Sequence, residues 1–356
     1  MLRQPIALAA LLSWLSCAVL IRAAQRRGFG LDETLGEARK THHRPTPRSG
    51  GIGVIAGIAA GVALACVDGL LPARFALALL GALVPLLASG VWEDLRRHLA
   101  PMIRAVAGIV SALLAVALIG VRIDRVDVPL LDTVLLHWPL AGAALSVIAL
   151  GALPHAVNMI DGFHGLAGVV CAMILGAIAY VASKVGDAQI MTLAVIGDGA
   201  LLGFLFWNWP RGDIFLGDTG AYGLGFIAAL LATLLVQRHP QVSPWFPLLV
   251  LLYPSWELLF SVYRRRVRAG VPGMLADSLH LHHLVHRRLH RALHLRAREI
   301  NASTAPYLWG LAAFSIVPAM LWWNDTGWLA VWCALFAAVY VWSYRSLLRT
   351  ASADAD

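Results

Sequence analysis

The chain has 356 residues, is 59% hydrophobic and 13% charged, and carries a formal net charge of +8. A soluble domain has no use for so much apolar surface, whereas a lipid-facing bundle does. Cys17, Cys66, Cys171 and Cys333 each lie inside an apolar run, so they suggest neither a disulfide framework nor a zinc ribbon.

Apolar runs long enough to cross about 30 Å of hydrocarbon predict helices. They cover 5–23, 51–70, 74–91, 102–120, 138–155, 165–183, 188–207, 219–236, 244–262, 303–323 and 327–344. Because the runs do not alternate, a β-barrel is excluded. The expected fold is an all-α integral membrane protein, a single polytopic domain over residues 1–356 with about eleven transmembrane helices. With the N-terminus outside, the inner segments carry 22 of the 28 Lys and Arg and the outer segments carry 6. The positive-inside rule then sets an N-out, C-in topology. Arg22, Arg26 and Arg27 follow the first apolar run, which favours a retained span over a cleaved leader. The outer loop 121–137 holds Asp124, Asp127 and Asp132 among β-branched residues and predicts a short hairpin with no chemistry of its own.

Five inner loops carry polar motifs: 24–50, 92–104, 156–164, 208–218 and 263–302. In the first, Lys40, His42, Arg44 and Arg48 cluster beside Pro45, Pro47, Gly50 and Gly51. Cations on a stiff loop suit a phosphate; a plain lipid-headgroup anchor suits them equally. Glu93 and Asp94 close the third span, where carboxylates at a membrane edge are functional hypotheses and a solvated helix end is the rival reading. Asn158 and Asp161 sit one helical turn apart, with His155 and His164 nearby, in the shortest inner connection. Helix capping accounts for the Asn and Asp as well.

Phe215-Leu216-Gly217-Asp218-Thr219-Gly220 precedes the eighth span. Asp218 reads either as an N-cap or as a ligand to a hard cation. Asn208 lies ten residues earlier on the same side. The last loop holds nine Arg and six of the thirteen His. His282, His286, His290 and His294 recur every four residues and share a helix face. Zinc is one reading; a basic surface helix with His280, His282 and His283 turned toward a diphosphate is the simpler one.

In order and residue type, these five motifs resemble the polyprenyl-phosphate N-acetylhexosamine-1-phosphate transferases, of the glycosyltransferase family 4 type, from about residue 30 to about residue 290. Asn158-Met159-Ile160-Asp161-Gly162-Phe163-His164-Gly165 is similar to that family's Asn-x-x-Asp-Gly-x-Asp-Gly, with His164 for the second Asp. Glu93-Asp94 falls where the family has two aspartates, and His280-Leu281-His282-His283 is similar to the form in the branch that uses UDP-N-acetylhexosamines.

The resemblance implies an Mg²⁺-dependent enzyme, with Mn²⁺ as a substitute. It would transfer HexNAc-1-phosphate, by default GlcNAc-1-phosphate, from a UDP-sugar to undecaprenyl phosphate, releasing UMP and starting a surface glycan. It implies Glu93, Asp94, Asp161 and Asp218 as catalytic, with Asp218 on the metal. Lys40, His42, Arg48, Asn158, His164, Asn208, Phe215, His280, His282 and His283 would bind substrate. The implied setting is the bacterial inner membrane with the site facing the cytoplasm. The implied partners are the UDP-sugar, the lipid phosphate, the bilayer and a second copy of the chain, but no nucleic acid. Two rivals are an inactive homologue serving as a scaffold and a transporter of an anionic solute. A transporter would show ionisable groups at the bilayer midplane and inverted repeats, and neither is read from the sequence.

Overall fold

The computed structural model describes residues 2–28, 31–32, 45–268, 279–293 and 297–353. Lys40 and His42 lie outside the described residues. The chain runs α1 (Arg3–Arg27), β1 (Leu31–Asp32), β2 (Thr46–Pro47), α2 (Gly50–Val67), α3 (Ala73–Arg96), α4 (Pro101–Ile119), α5 (Pro129–His137), α6 (Pro139–Ile160), α7 (Leu166–Val185), α8 (Ala188–Asn208), α9 (Gly217–Arg238), α10 (Trp245–Val250) and α11 (Leu252–Tyr263). A π-helical turn over Arg264–Arg268 follows, then α12 (Leu281–Leu293), α13 (Ala297–Leu321) and α14 (Thr326–Ala353). The two short strands pair antiparallel.

Among the described residues, ten helices are long and apolar enough to cross a membrane. The predicted ninth span, 244–262, is broken at Leu251 into α10 and α11. Pro254 is the physical cause: it has no N–H for the carbonyl of Val250, and its ring crowds that carbonyl. The broken pair still joins the two ends of the bundle. At its start Trp245 Nε1 donates to Val126 O and Ser243 N donates to Trp323 O. At its far end Glu257 meets His280.

Two further readings are corrected. The segment 129–137 is a helix, not a hairpin. Pro129 takes the first helical turn, where its missing N–H costs nothing, and the Asp132 carboxylate accepts from Val126 N at 2.6 Å. Ionisable groups do lie inside the spans: Asp198 sits at the middle of α8 and Glu257 within α11.

The most enclosed of these spans is α9, in which every residue from Gly217 to Leu235 is buried. In lipid, helices associate through close packing of small residues, because there is no hydrophobic gain from helix against helix. The first turn of α9 shows this. A Cβ on Gly51 of α2 would lie 2.0 Å from Gly220 N, and a Cβ on Gly90 of α3 would lie 2.7 Å from Thr219 Cα. Three helices thus meet at one point, and the polar motifs are carried to it.

Candidate active site

The site is built around the turn that starts α9. Gly217 has φ +71, and a Cβ there would lie 2.0 Å from Arg48 O and 2.6 Å from Asp94 Oδ1. Only glycine fits that backbone conformation and that space. The segment before it is tied to the start of α2 by backbone hydrogen bonds. Phe215 N donates to Pro47 O at 2.8 Å, Gly50 N to Phe215 O at 2.9 Å and Gly51 N to Leu216 O at 2.7 Å. Two helix N-termini, those of α2 and α9, therefore open side by side, and their partial positive charge favours an anionic ligand.

Three carboxylates converge on this turn. Asp94 is buried, and both its oxygens accept from the start of α9: Oδ1 from Asp218 N at 2.8 Å, Oδ2 from Thr219 N at 2.9 Å and from Thr219 Oγ1 at 2.6 Å. It caps α9 from a neighbouring helix. Asp161, which follows the last residue of α6, accepts from Gly217 N at 3.1 Å. Burial pushes its carboxyl up to about 7, opposed by the charge of Arg48 and by the Gly217 amide. Asp218 is 2% exposed and pairs with two guanidinium groups. Arg48 Nη2 lies 3.3 Å from Oδ1 and Arg104 Nη1 lies 3.0 Å from Oδ2. The Tyr222 hydroxyl donates to Oδ2 at 2.9 Å.

The other motif residues take distinct places. Glu93, next to Asp94, accepts from Leu99 N at 2.8 Å through its Oε2 and closes the α3–α4 connection, and its charge also acts on Arg104. There Arg97 and His98 both adopt positive φ. Asn158 lies in the last turn of α6, because that helix runs five residues past its predicted end; its Nδ2 is 3.5 Å from the Tyr222 hydroxyl. Asn208 engages both ends of its amide on backbone: Oδ1 accepts from Gly165 N at 2.7 Å, and Nδ2 donates to Ile214 O at 2.8 Å. It staples the 161–165 turn to the 209–216 loop, so its contribution is positional. The His164 ring packs on Phe215 with centroids 5.7 Å apart, and its backbone N–H donates to Asn301 Oδ1 at 3.0 Å.

The histidine segment adjoins this cluster through Gly162, where a Cβ would lie 3.1 Å from His282 Nε2. His280 and His282 stack with centroids 5.3 Å apart, and His282 and His283 lie 4.4 Å apart. His282 is buried, and burial, reinforced by the neighbouring histidines, holds it well below the usual imidazole range. It is therefore neutral at pH 7 and offers a hydrogen bond rather than a charge. Burial likewise pushes His286 down to about 4. His282 and His286 pack against Phe163, with centroids 5.6 and 4.9 Å away.

Several residues here were not singled out in the sequence. Arg104 is a lone cation in the otherwise apolar α4. Tyr222 stands one turn after Asp218. Glu257 is a lone acid in an apolar span, and it anchors the histidine segment. Its Oε1 accepts from His280 Nδ1 at 3.1 Å and from Leu281 N at 3.0 Å, and its Oε2 accepts from the Tyr340 hydroxyl of α14 at 2.6 Å. Arg104 and Glu257 carried the same signal, a single charged residue in an apolar run, which is costly in lipid unless paired.

The donor set suits a hard divalent cation. Asp218 offers oxygen only, and the two guanidinium groups paired with it show that this carboxylate draws positive charge. Among the described residues, no three His, Cys, Asp or Glu side chains form a self-sufficient metal site. Mg²⁺ takes one or two carboxylates and completes its shell with water and substrate phosphates, a share that Asp218 could supply.

Comparison with known proteins gives a consistent picture. A match to the family described as glycosyl transferase family 4 covers residues 76–236. The chain is 27% identical over 286 residues to a probable undecaprenyl-phosphate N-acetylglucosaminyl 1-phosphate transferase of Bacillus subtilis (strain 168), covering 80% of this chain and 77% of that protein. It is 33% identical over 268 residues to a phospho-N-acetylmuramoyl-pentapeptide-transferase of Mycolicibacterium vanbaalenii, covering 64% of this chain and 74% of that one. It is 29% identical over 260 residues to an undecaprenyl-phosphate alpha-N-acetylglucosaminyl 1-phosphate transferase of Escherichia coli (strain K12), covering 70% and 67%.

Proposed function

We propose that this chain, which belongs to glycosyl transferase family 4, transfers an N-acetylhexosamine 1-phosphate from a UDP-sugar to undecaprenyl phosphate. GlcNAc is the sugar we assign, UMP is the co-product, and the lipid-linked diphosphate sugar starts a surface glycan. The observation that carries this reading is the convergence of Asp94, Asp161 and Asp218 with Arg48 and Arg104 on the first turn of α9, beside the histidine segment.

In the reaction, an oxygen of the lipid phosphate attacks the β-phosphorus of the UDP-sugar. The bond from that phosphorus to the bridging oxygen breaks, and UMP leaves with the oxygen. Such chemistry is mostly positioning and charge neutralisation. Mg²⁺, held by Asp218, would supply neutralisation of the diphosphate and of the leaving UMP. Arg48 and Arg104, paired with Asp218 here, lie where they can pass to phosphate oxygens, with Lys40 and His42 assigned to the same task from the first loop. Asp94 holds the start of α9 in place, and Glu93 holds the adjoining connection. Asn158, Asp161 and Phe215 are assigned to uridine. His282 donates to a phosphate oxygen as a neutral imidazole, and His280 and His283 flank it. Asn208 and His164 keep the two loops in register.

A lateral cavity of about 830 Å³ supports a route for the lipid tail. Its lining is mainly apolar and runs from the Arg122–Val128 loop along α6, α10 and α11 to Ala156, two residues before Asn158. We place the site on the cytoplasmic side of a bacterial inner membrane, a placement that the cation distribution supports, and assign a homodimer as the assembly.

The test is UMP release by purified protein given Mg²⁺, undecaprenyl phosphate and a panel of UDP-N-acetylhexosamines. Release that needs the lipid phosphate and is lost in Asp218→Asn is expected, and it names the sugar. Absence of release with every sugar would sink this reading.

A further inference from the structure

A second groove lies between α11 and α14, with a volume of about 720 Å³. It is lined by Trp256, Ala337, Ala338, Val341, Trp342, Arg345, Ser346 and Arg349. Along α14 these residues follow one face at helical spacing, and their chemistry is graded. Small and apolar groups come first, then an indole that is 71% exposed, then two arginines four residues apart. Among the described residues, no acid lines the groove. The tyrosines just before the arginines, Tyr340 and Tyr344, face Phe260 with centroids 5.3 and 4.8 Å away. The basic end of the groove is therefore at the same end of the bundle as the active site.

The geometry points to a binding site for an anionic diacyl phospholipid, with one acyl chain against Ala337, Ala338 and Trp256, and the phosphate between Arg345 and Arg349. A basic pocket between transmembrane helices at a membrane surface, fronted by tryptophan, is the chemistry that recognises such a headgroup. The groove wall also belongs to the clamp that holds the active-site histidines. Trp256 meets the Tyr340 ring edge-on at 6.4 Å, and the Tyr340 hydroxyl donates to Glu257, whose other oxygen fixes His280. A lipid in the groove packs against Trp256 and so backs the Tyr340–Glu257 contact of that clamp. The bound lipid thus supports the histidine segment and raises transfer activity; this link to activity rests on the proposed function, whereas lipid binding itself does not.

The test uses the full chain and the Arg345→Ala/Arg349→Ala variant, neither residue being part of the active site. Native mass spectrometry from mild detergent, with added phosphatidylglycerol, phosphatidylcholine or undecaprenyl phosphate, reads binding. UMP release in vesicles of each phospholipid reads the coupling. Phosphatidylglycerol should bind the wild type in preference to phosphatidylcholine, with affinity roughly tenfold weaker in the variant. The wild type should be faster in phosphatidylglycerol vesicles, and the variant should lose that gain while matching the wild type in phosphatidylcholine. Equal phosphatidylglycerol binding by both proteins overturns the site. Loss of undecaprenyl phosphate binding alone assigns the groove to the substrate and also overturns it. Binding that responds as stated with no difference in UMP release overturns the coupling. If no UMP appears under any condition, the proposed function fails while the binding result still stands or falls by itself.

Discussion

The carboxylate of Asp94 accepts the backbone N–H of Asp218 at 2.8 Å, while the side chain of Asp218 faces two arginines. Two acids that look alike in sequence thus have different tasks. One builds the turn, and the other is presented by it.

Removing them should therefore have different consequences. Asp94→Ala removes a cap on buried amides and should lower stability by about 1–2 kcal/mol or more, with activity falling alongside. Asp218→Asn takes the charge from the partner of two guanidinium groups, so it should also lower stability, but it should abolish UMP release outright, whereas in Asp94→Ala activity should follow the folded fraction. Parallel unfolding curves and UMP assays decide this. UMP release retained per folded molecule of Asp218→Asn, or abolished in folded Asp94→Ala, would refute the division of roles.

Arg104 gives the second prediction. Its guanidinium pairs with Asp218 from a helix that carries none of the motifs. Loss of one charge-assisted contact is worth about 1.5–3 kcal/mol, so Arg104→Ala should cut kcat/KM roughly 10- to 100-fold, with Arg104→Lys recovering part of it. An Arg104→Ala enzyme with wild-type kinetics would remove this residue from the site.

Asp161 supplies a pH dependence. Burial raises its carboxyl to about 7 in the folded state, above its ordinary unfolded value of about 3.9. The folded state then binds the proton more tightly, so stability from this group is present at low pH and is lost as pH rises through about 7. Asp161→Asn keeps an oxygen for the Gly217 amide and carries no charge. Its stability relative to wild type should therefore be greater at pH 8 than at pH 5.5. Melting temperatures of metal-free protein at the two pH values check the sign.

Glu257 and Tyr340 give the last prediction. Glu257→Gln keeps an acceptor for Leu281 N and should retain part of the activity. Glu257→Ala should lower kcat more than it raises KM, because it releases His280 without touching the carboxylate cluster. Tyr340→Phe should show a milder form of the same kcat loss. If all three variants alter only stability, with kcat per folded molecule unchanged, the clamp has no part in catalysis.

The spans, the two-sided distribution of cations and the types of residue at the site were legible in the sequence, because hydropathy and charge act locally. The 217–220 turn was legible as well, since a glycine before an acid at a helix start is a local signal. Arg104 and Glu257 were not, because each appears as a lone polar residue in an apolar run until the facing helix is known. Asn208 read as a ligand because its amide is polar, whereas in the fold that amide joins two loops.

The sequence by itself determined that the chain is a many-helix membrane protein with its polar chemistry gathered in alternate connections, since burial in lipid constrains every stretch of about 20 residues on its own. The tertiary structure decided which of those polar groups meet. Close contact of Gly51 and Gly90 with the first turn of α9 sets the register of three helices. That register turns Asp94 into a cap, brings Arg104 to Asp218 and sets Glu93 on the α3–α4 connection. The broken α10–α11 crossing carries Glu257 to His280. Such pairings depend on the depth and rotation of one helix against another, and no local pattern encodes those quantities.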